Sequence, residues 1–159
     1  MLRQRFAPSE RFAQEAGAAY VEHTGRIGVE LPDAEVVHRG GTSVPGVLTS
    51  GDVDIHVRVA GEEFEPARDT LATLYEPFHR EAWSAGESAF FFAPGSTPPV
   101  ELALTVRGTV DDFHHGAAWD RIAIDTSLIA RYNELKRRCE RVSQDEYEAA
   151  KREFFAAIV

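Results

Sequence analysis

Residues 38–57 read His-Arg-Gly-Gly-Thr-Ser-Val-Pro-Gly-Val-Leu-Thr-Ser-Gly-Asp-Val-Asp-Ile-His-Val. The stretch divides into the end of one strand, a turn of small residues, a loop, and a second strand carrying two acids. Gly40 and Gly41 let the backbone come close to a phosphate, and Thr42 and Ser43 add hydroxyl and amide donors where a bulkier side chain would obstruct. In the second strand Val53, Ile55, Val57 and Val59 alternate with Asp52, Asp54, His56 and Arg58. That period of two sends the apolar set to the core and leaves the two acids on the other face. At strand rise their Cα atoms are roughly 6–7 Å apart. Two carboxylates so spaced, beside a small-residue turn, suit a hard divalent cation bridging to a nucleotide.

A Gly-Gly turn, a spacer of this length and an Asp-hydrophobic-Asp strand resemble the signature of the nucleotidyltransferase superfamily. More narrowly, Gly40-Gly41-Thr42-Ser43-Val44-Pro45-Gly46 followed by Gly51-Asp52-Val53-Asp54-Ile55 is similar to the GrpB-like family. The likeness extends to Val100–Gly108 and to Arg131-Tyr132-Asn133-Glu134-Leu135-Lys136. It implies a small nucleotidyltransferase-type domain that uses magnesium and a nucleoside triphosphate. One departure is visible: family members commonly carry Lys two residues before the first acid, where this chain has Ser50.

The flanking sequence supplies the rest of an α/β (α+β) domain, and residues 1–159 read as one such unit. At 159 residues and 43% hydrophobic, the chain is long enough to bury a core. Its formal charge of −9 disfavours a broad nucleic-acid footprint, which needs clustered Lys and Arg. Cys139 is the only cysteine, so an intramolecular disulfide or a multi-thiolate zinc site is excluded. The start of the chain, Met1 to Pro8, lacks the apolar core of a signal peptide and no run approaches membrane-spanning length, so a cytoplasmic setting is expected.

Helical spacing of Phe12, Ala16, Ala19 and Tyr20 predicts a packing helix from Ser9 to about Thr24, ended by Gly25 and Gly28. Ala34–His38 reads as the first strand and Glu62–Tyr75 as a second helix. Residues 76–99 are the least regular, apart from a buried aromatic strand at Ser88–Ala93. Val100–Val106 is a strong strand that forms a hairpin with it across Pro94–Pro99. Alternation there groups Glu101 with Ala103 and Thr105, opposite the apolar set. Helices follow at Phe113–Ile122, from Thr126 or Ser127 as cap, and from Ser143, whose Glu146 completes a capping box. The expected architecture is a mixed, mainly antiparallel sheet of about four strands flanked by helices.

Asp52 and Asp54 are the expected magnesium ligands, with Glu101 as the third acid that nucleotidyltransferases usually take from a later strand. Gly40, Gly41, Thr42 and Ser43 are the expected phosphate cradle, with Arg39 or Arg58 as compensating charge. Lys136, Arg137, Arg138 and Arg141 form a basic cluster with a possible phosphate role. His56 reads as structural, His114 and His115 as metal ligands only with partners from elsewhere, and Trp83 and Trp119 as core or pocket walls. The expected activity is magnesium-dependent transfer of a nucleotidyl group to a small-molecule or unidentified acceptor. The alternatives are a nucleotide- or metabolite-binding domain without turnover, and an interaction protein with an acidic face. Acceptor, base preference and oligomeric state stay open.

Overall fold

The computed structural model describes residues 5–159. Met1–Gln4, part of the stretch read above for want of an apolar run, lie outside the described residues. In chain order the elements are β1 Ala7–Pro8, α1 Ala13–Glu30, β2 Glu35–Arg39, β3 Leu48–Thr49, β4 Val53–Val59, α2 Phe64–Leu74, β5 Glu76–Phe78, β6 Ser88–Phe92, β7 Val100–Val106, α3 Val110–Ile124, α4 Thr126–Cys139 and α5 Gln144–Ile158.

The main sheet has five strands in the order β2-β4-β7-β6-β5, and β1 pairs separately with β3. Only the central β4–β7 pair is parallel; its neighbours are antiparallel, including the β6–β7 hairpin. The strand beyond the four expected is β5, in a segment that reads as loop because of Pro77. A proline lacks the ladder N–H, and an edge strand tolerates that loss.

The two faces of the sheet differ sharply. Val53, Ile55, Val57 and Val59 of β4 and Val100, Leu102 and Leu104 of β7 pack with Ala16, Ala19 and Ile27 of α1 and Phe64, Ala67 and Leu71 of α2 in one apolar core. A second core joins α3, α4 and α5 to Val44 and Val47 of the loop after the small-residue turn, through Ile122, Leu128, Tyr132, Tyr147 and Phe154. Between this helical unit and the sheet lies a polar layer. Arg58 donates two hydrogen bonds of 2.7 Å to the carboxylate of Asp112 on α3 and one of 2.9 Å to Glu35.

Helix ends mostly follow their local chemistry. Ser143 and Glu146 form the expected capping box. The cap of α4 is Asp125, one residue before Thr126, and its carboxylate accepts from the amides of Ser127 and Leu128. Helix α1 does not stop at Gly25 and Gly28. It continues to Glu30 because buried His23 and Ile27 extend its inner stripe, and that packing outweighs the low helix propensity of glycine. Ser9 is not its cap; the hydroxyl donates to the carbonyl of Val44 at 2.7 Å.

Candidate functional site

Parallel register sets Asp54 opposite Glu101, and antiparallel register sets Asp54 opposite Arg39 and Glu101 opposite Phe92. Arg39, Asp54, Glu101 and Phe92 thus form one row across the end of the sheet, on the face opposite the main apolar core. Asp52 lies just before β4, half-buried, with the Ser50 hydroxyl donating to its carboxylate at 3.3 Å.

The small-residue turn is built against this row. Gly40 has φ of 75°, a backbone shape that favours glycine, and a Cβ there would fall 1.9 Å from Oδ2 of Asp54. A Cβ on Gly41 would fall 2.8 Å from Cβ of Thr49. The turn therefore packs on the acid strand at Gly40, and on β3 at Gly41, only with hydrogen atoms at both positions. Thr42 is buried, and its hydroxyl donates to the carbonyl of Asp52 at 2.9 Å while His38 Nε2 lies 2.9 Å away on its other side. That hydroxyl holds the turn to the acid-bearing loop. Ser43 donates to the carbonyl of Gly40 at 2.6 Å.

Burial raises the carboxyl pKa of Asp54 to about 7, with Glu101 and Asp52 adding like-charge repulsion and Lys151 and Lys136 opposing it. Burial, followed by Asp52, raises that of Glu101 as well. The acids are thus close enough to disfavour one another's charge, although no group of three His, Cys, Asp or Glu side chains among the described residues forms a ready-made metal cage. Magnesium is commonly held by one or two carboxylates together with substrate phosphates, and this donor set fits that mode.

Lys136 is the residue the sequence reading underweighted. It is only 5% exposed, its ammonium lies 4.7 Å from the ring centre of Phe6 and 4.8 Å from that of Tyr132, and burial lowers its pKa to about 7. Asp54 and Asp52 pull that pKa back up, so the amine lies within electrostatic reach of the acids. The signal was its spacing: Lys136 falls four residues after Tyr132 and eight after Leu128, on the core side of α4, whose other basic residues, Arg131, Arg137 and Arg138, are exposed, as is Arg141 just beyond it. Asn133 has an equally specific place. Its side chain accepts from the amide of Leu48 at 2.7 Å and donates to the carbonyl of Gly46 at 2.8 Å, fastening α4 to the loop between turn and acids.

The arginines are otherwise engaged. Arg58 is bound to Asp112 and Glu35, and Arg39 is paired with Asp120. Arg39 Nε also donates to His56 Nδ1 at 3.5 Å, which fixes the imidazole tautomer so that Nε2 donates to Thr105 at 2.8 Å. Thr105 in turn donates to Asp112 at 2.8 Å. His56 is fully buried in this chain of bonds, and burial drops its pKa to about 3. It is structural, as its neighbours require, and His115 stacks edge-on against it at 4.6 Å. Trp83 packs on Phe91 and Trp119 on Tyr132 as walls.

The model of the family described as GrpB protein matches residues 9–159. A UPF0157 protein of Vibrio cholerae serotype O1 is 28% identical over 156 residues, covering 98% of this chain and 81% of the relative. The crystal structure of conserved protein GrpB from Enterococcus faecalis superposes with a TM-score of 0.65 at 16% identity, over 89% of this chain and 93% of that one. The Cid1 poly(U) polymerase, in a structure with MgGTP bound, superposes with a TM-score of 0.58 at 14% identity, over 86% of this chain and 45% of that one. The mixed sheet and its flanking helices are therefore a nucleotidyltransferase-like fold, and the chain belongs to the GrpB protein family.

Proposed function

We propose that this protein transfers a nucleotidyl group from a nucleoside triphosphate to an acceptor hydroxyl, with magnesium as the metal. One observation carries the reading: the Gly40–Gly41 turn packs directly on the carboxylate of Asp54, which is paired in register with Glu101. Asp52, Asp54 and Glu101 would hold the metal, which when bound supplies positive charge to the triphosphate oxygens. The backbone of residues 40–43 holds the outer phosphates. Lys136 and Lys151, within electrostatic reach of the acids, take the place of the lysine that Ser50 replaces, balancing phosphate charge from the helical side. In the reaction the acceptor oxygen bonds to the α-phosphorus, the bond from that phosphorus to the bridging oxygen breaks, and pyrophosphate leaves. Glu101, with its raised pKa, accepts the proton of the hydroxyl. Most of the rate gain comes from positioning and electrostatics.

The test is titration calorimetry with each of the four ribonucleoside triphosphates, with and without magnesium, on the wild type and on Asp52→Asn/Asp54→Asn. Magnesium-dependent binding that the double variant loses is expected. Absence of binding at millimolar triphosphate would overturn the reading. The alternative of binding without turnover rests on Ser50 standing where the family commonly has lysine. Incubation with labelled triphosphate and release of pyrophosphate separate the two, because a binding domain yields none.

A further inference from the structure

The row across the sheet gives the reaction a direction. From β2 to β6 it runs from the small-residue turn after Arg39, through Asp54 and Glu101, to Phe92. In an in-line displacement the leaving and attacking oxygens lie on opposite sides of the phosphorus. With the outer phosphates on the turn side, the acceptor hydroxyl approaches from β6.

On that side a cavity opens beside Asp54 and Glu101, walled by Phe78, His79, Phe90 and His115. Phe78 meets His79 at 3.8 Å and Phe92 at 5.4 Å between ring centres, and Phe90 faces His115 at 6.2 Å. His79 is the only non-glycine residue with positive φ among the described residues, at 47°, and it stands exposed at the mouth. Phe90 and His115 also line a second, neighbouring cavity, with Ser88, Asp111 and His114. There Ser88 donates to one oxygen of Asp111 at 2.8 Å. Neither cavity is lined by Lys or Arg.

We infer that these two neighbouring cavities, with Phe90 and His115 as their shared walls, form the acceptor subsite, and that it takes a small alcohol or phenol with a planar ring next to its hydroxyl and an amine or other hydrogen-bond donor at its far end. The inference rests on the nucleotidyltransferase reading and names its acceptor class. Aromatic walls favour a ring, whose faces stack on them. The carboxylate of Asp111, together with a lining free of Lys and Arg, selects against an anionic acceptor, including a nucleic-acid end.

The probes are tyramine, its anionic counterpart 4-hydroxyphenylacetate, and ring-free ethanolamine, each titrated by saturation-transfer NMR with and without magnesium and a non-hydrolysable triphosphate. Tyramine should bind at least tenfold more tightly than either control. Phe90→Ala should weaken tyramine at least fivefold and leave magnesium–triphosphate affinity within twofold. Asp111→Asn, on the first turn of α3, should narrow the gap between tyramine and 4-hydroxyphenylacetate, and it guards against a Phe90 variant that misfolds. Equal binding of the three probes, no tyramine binding, or a Phe90→Ala effect on triphosphate in place of tyramine would overturn the assignment, the last by giving the cavities to the donor's base. Because tyramine is also titrated without nucleotide, failure of the donor reading shows up separately, as loss of the triphosphate signal only.

Discussion

Asp54 has its carboxyl pKa raised to about 7 by burial first and by Glu101 and Asp52 second, and this couples the site to stability. A carboxyl whose folded pKa lies above its unfolded value of 3.8 stabilises the fold at low pH, and that contribution is lost as pH rises from about 4 to about 7. Asp54→Asn should therefore melt higher than wild type above pH 7, by on the order of 3–6 °C, with the gain shrinking as pH falls toward 4. Thermal unfolding across pH 4–8 checks this, and a flat difference would refute it. Lys136 has the opposite linkage: its lowered pKa makes charging costly below about pH 7 and relieves the cost toward alkaline pH. Lys136→Met should lower magnesium–triphosphate affinity about tenfold, about 1.4 kcal/mol, without lowering the melting temperature at pH 6. That Asp52 and Asp54 share a face was legible at this scale because a period of two decides it; that Glu101 lies opposite Asp54 was not, because it depends on β4 pairing with β7. Nor was the inward turn of Lys136, since four basic residues in six positions read as one solvated cluster until helix phase separates them.

Among the elements, α3 carries a buried anchor in its first turn. Asp111 and Asp112 both look like acids placed for the helix dipole, yet Asp112 is 5% exposed and anchors Arg58, Thr105 and the amide of Gly108. The hydrogen bonds from Arg58 come first among the causes that hold its carboxyl well below the usual carboxylate range. Removing one partner of a buried ion pair costs about 3–5 kcal/mol, less where the other partner reaches solvent as Arg58 does. Asp112→Asn should thus destabilise the protein by about 2–3 kcal/mol at pH 7 in urea unfolding. The depressed pKa contributes stability above pH 4 that disappears on further acidification, so the gap between variant and wild type should narrow below that pH. Strands β4 and β7 were legible because alternation and length agree, and β6 from its aromatic run. The extent of α1 and the existence of β5 were not, because each depends on a tertiary neighbour that outweighs a glycine or proline signal.

At the scale of the molecule, two apolar cores sit on opposite sides of a sheet whose second face is polar, and a few directional contacts register them to each other. Asn133 is the contact nearest the site. Asn133→Ala would leave Leu48 N and Gly46 O without their partner, at about 1–3 kcal/mol, and should weaken triphosphate binding although residue 133 touches no phosphate. Calorimetry on a variant that still melts cooperatively measures the second effect; unchanged affinity would separate α4 from the site. The segment 131–136 was visible as a motif, but its meaning, one core ring, one clamp and one buried amine, requires knowing which loop α4 lies against. The contact of Gly40 with Asp54 has a further, genetic consequence. A methyl at position 40 collides with the carboxylate of residue 54, so shortening residue 54 should partly restore the folding of Gly40→Ala while abolishing any function of the acid. Suppressors selected for fold at these two positions will therefore never be suppressors of activity, and the turn and its acid can only be inherited together.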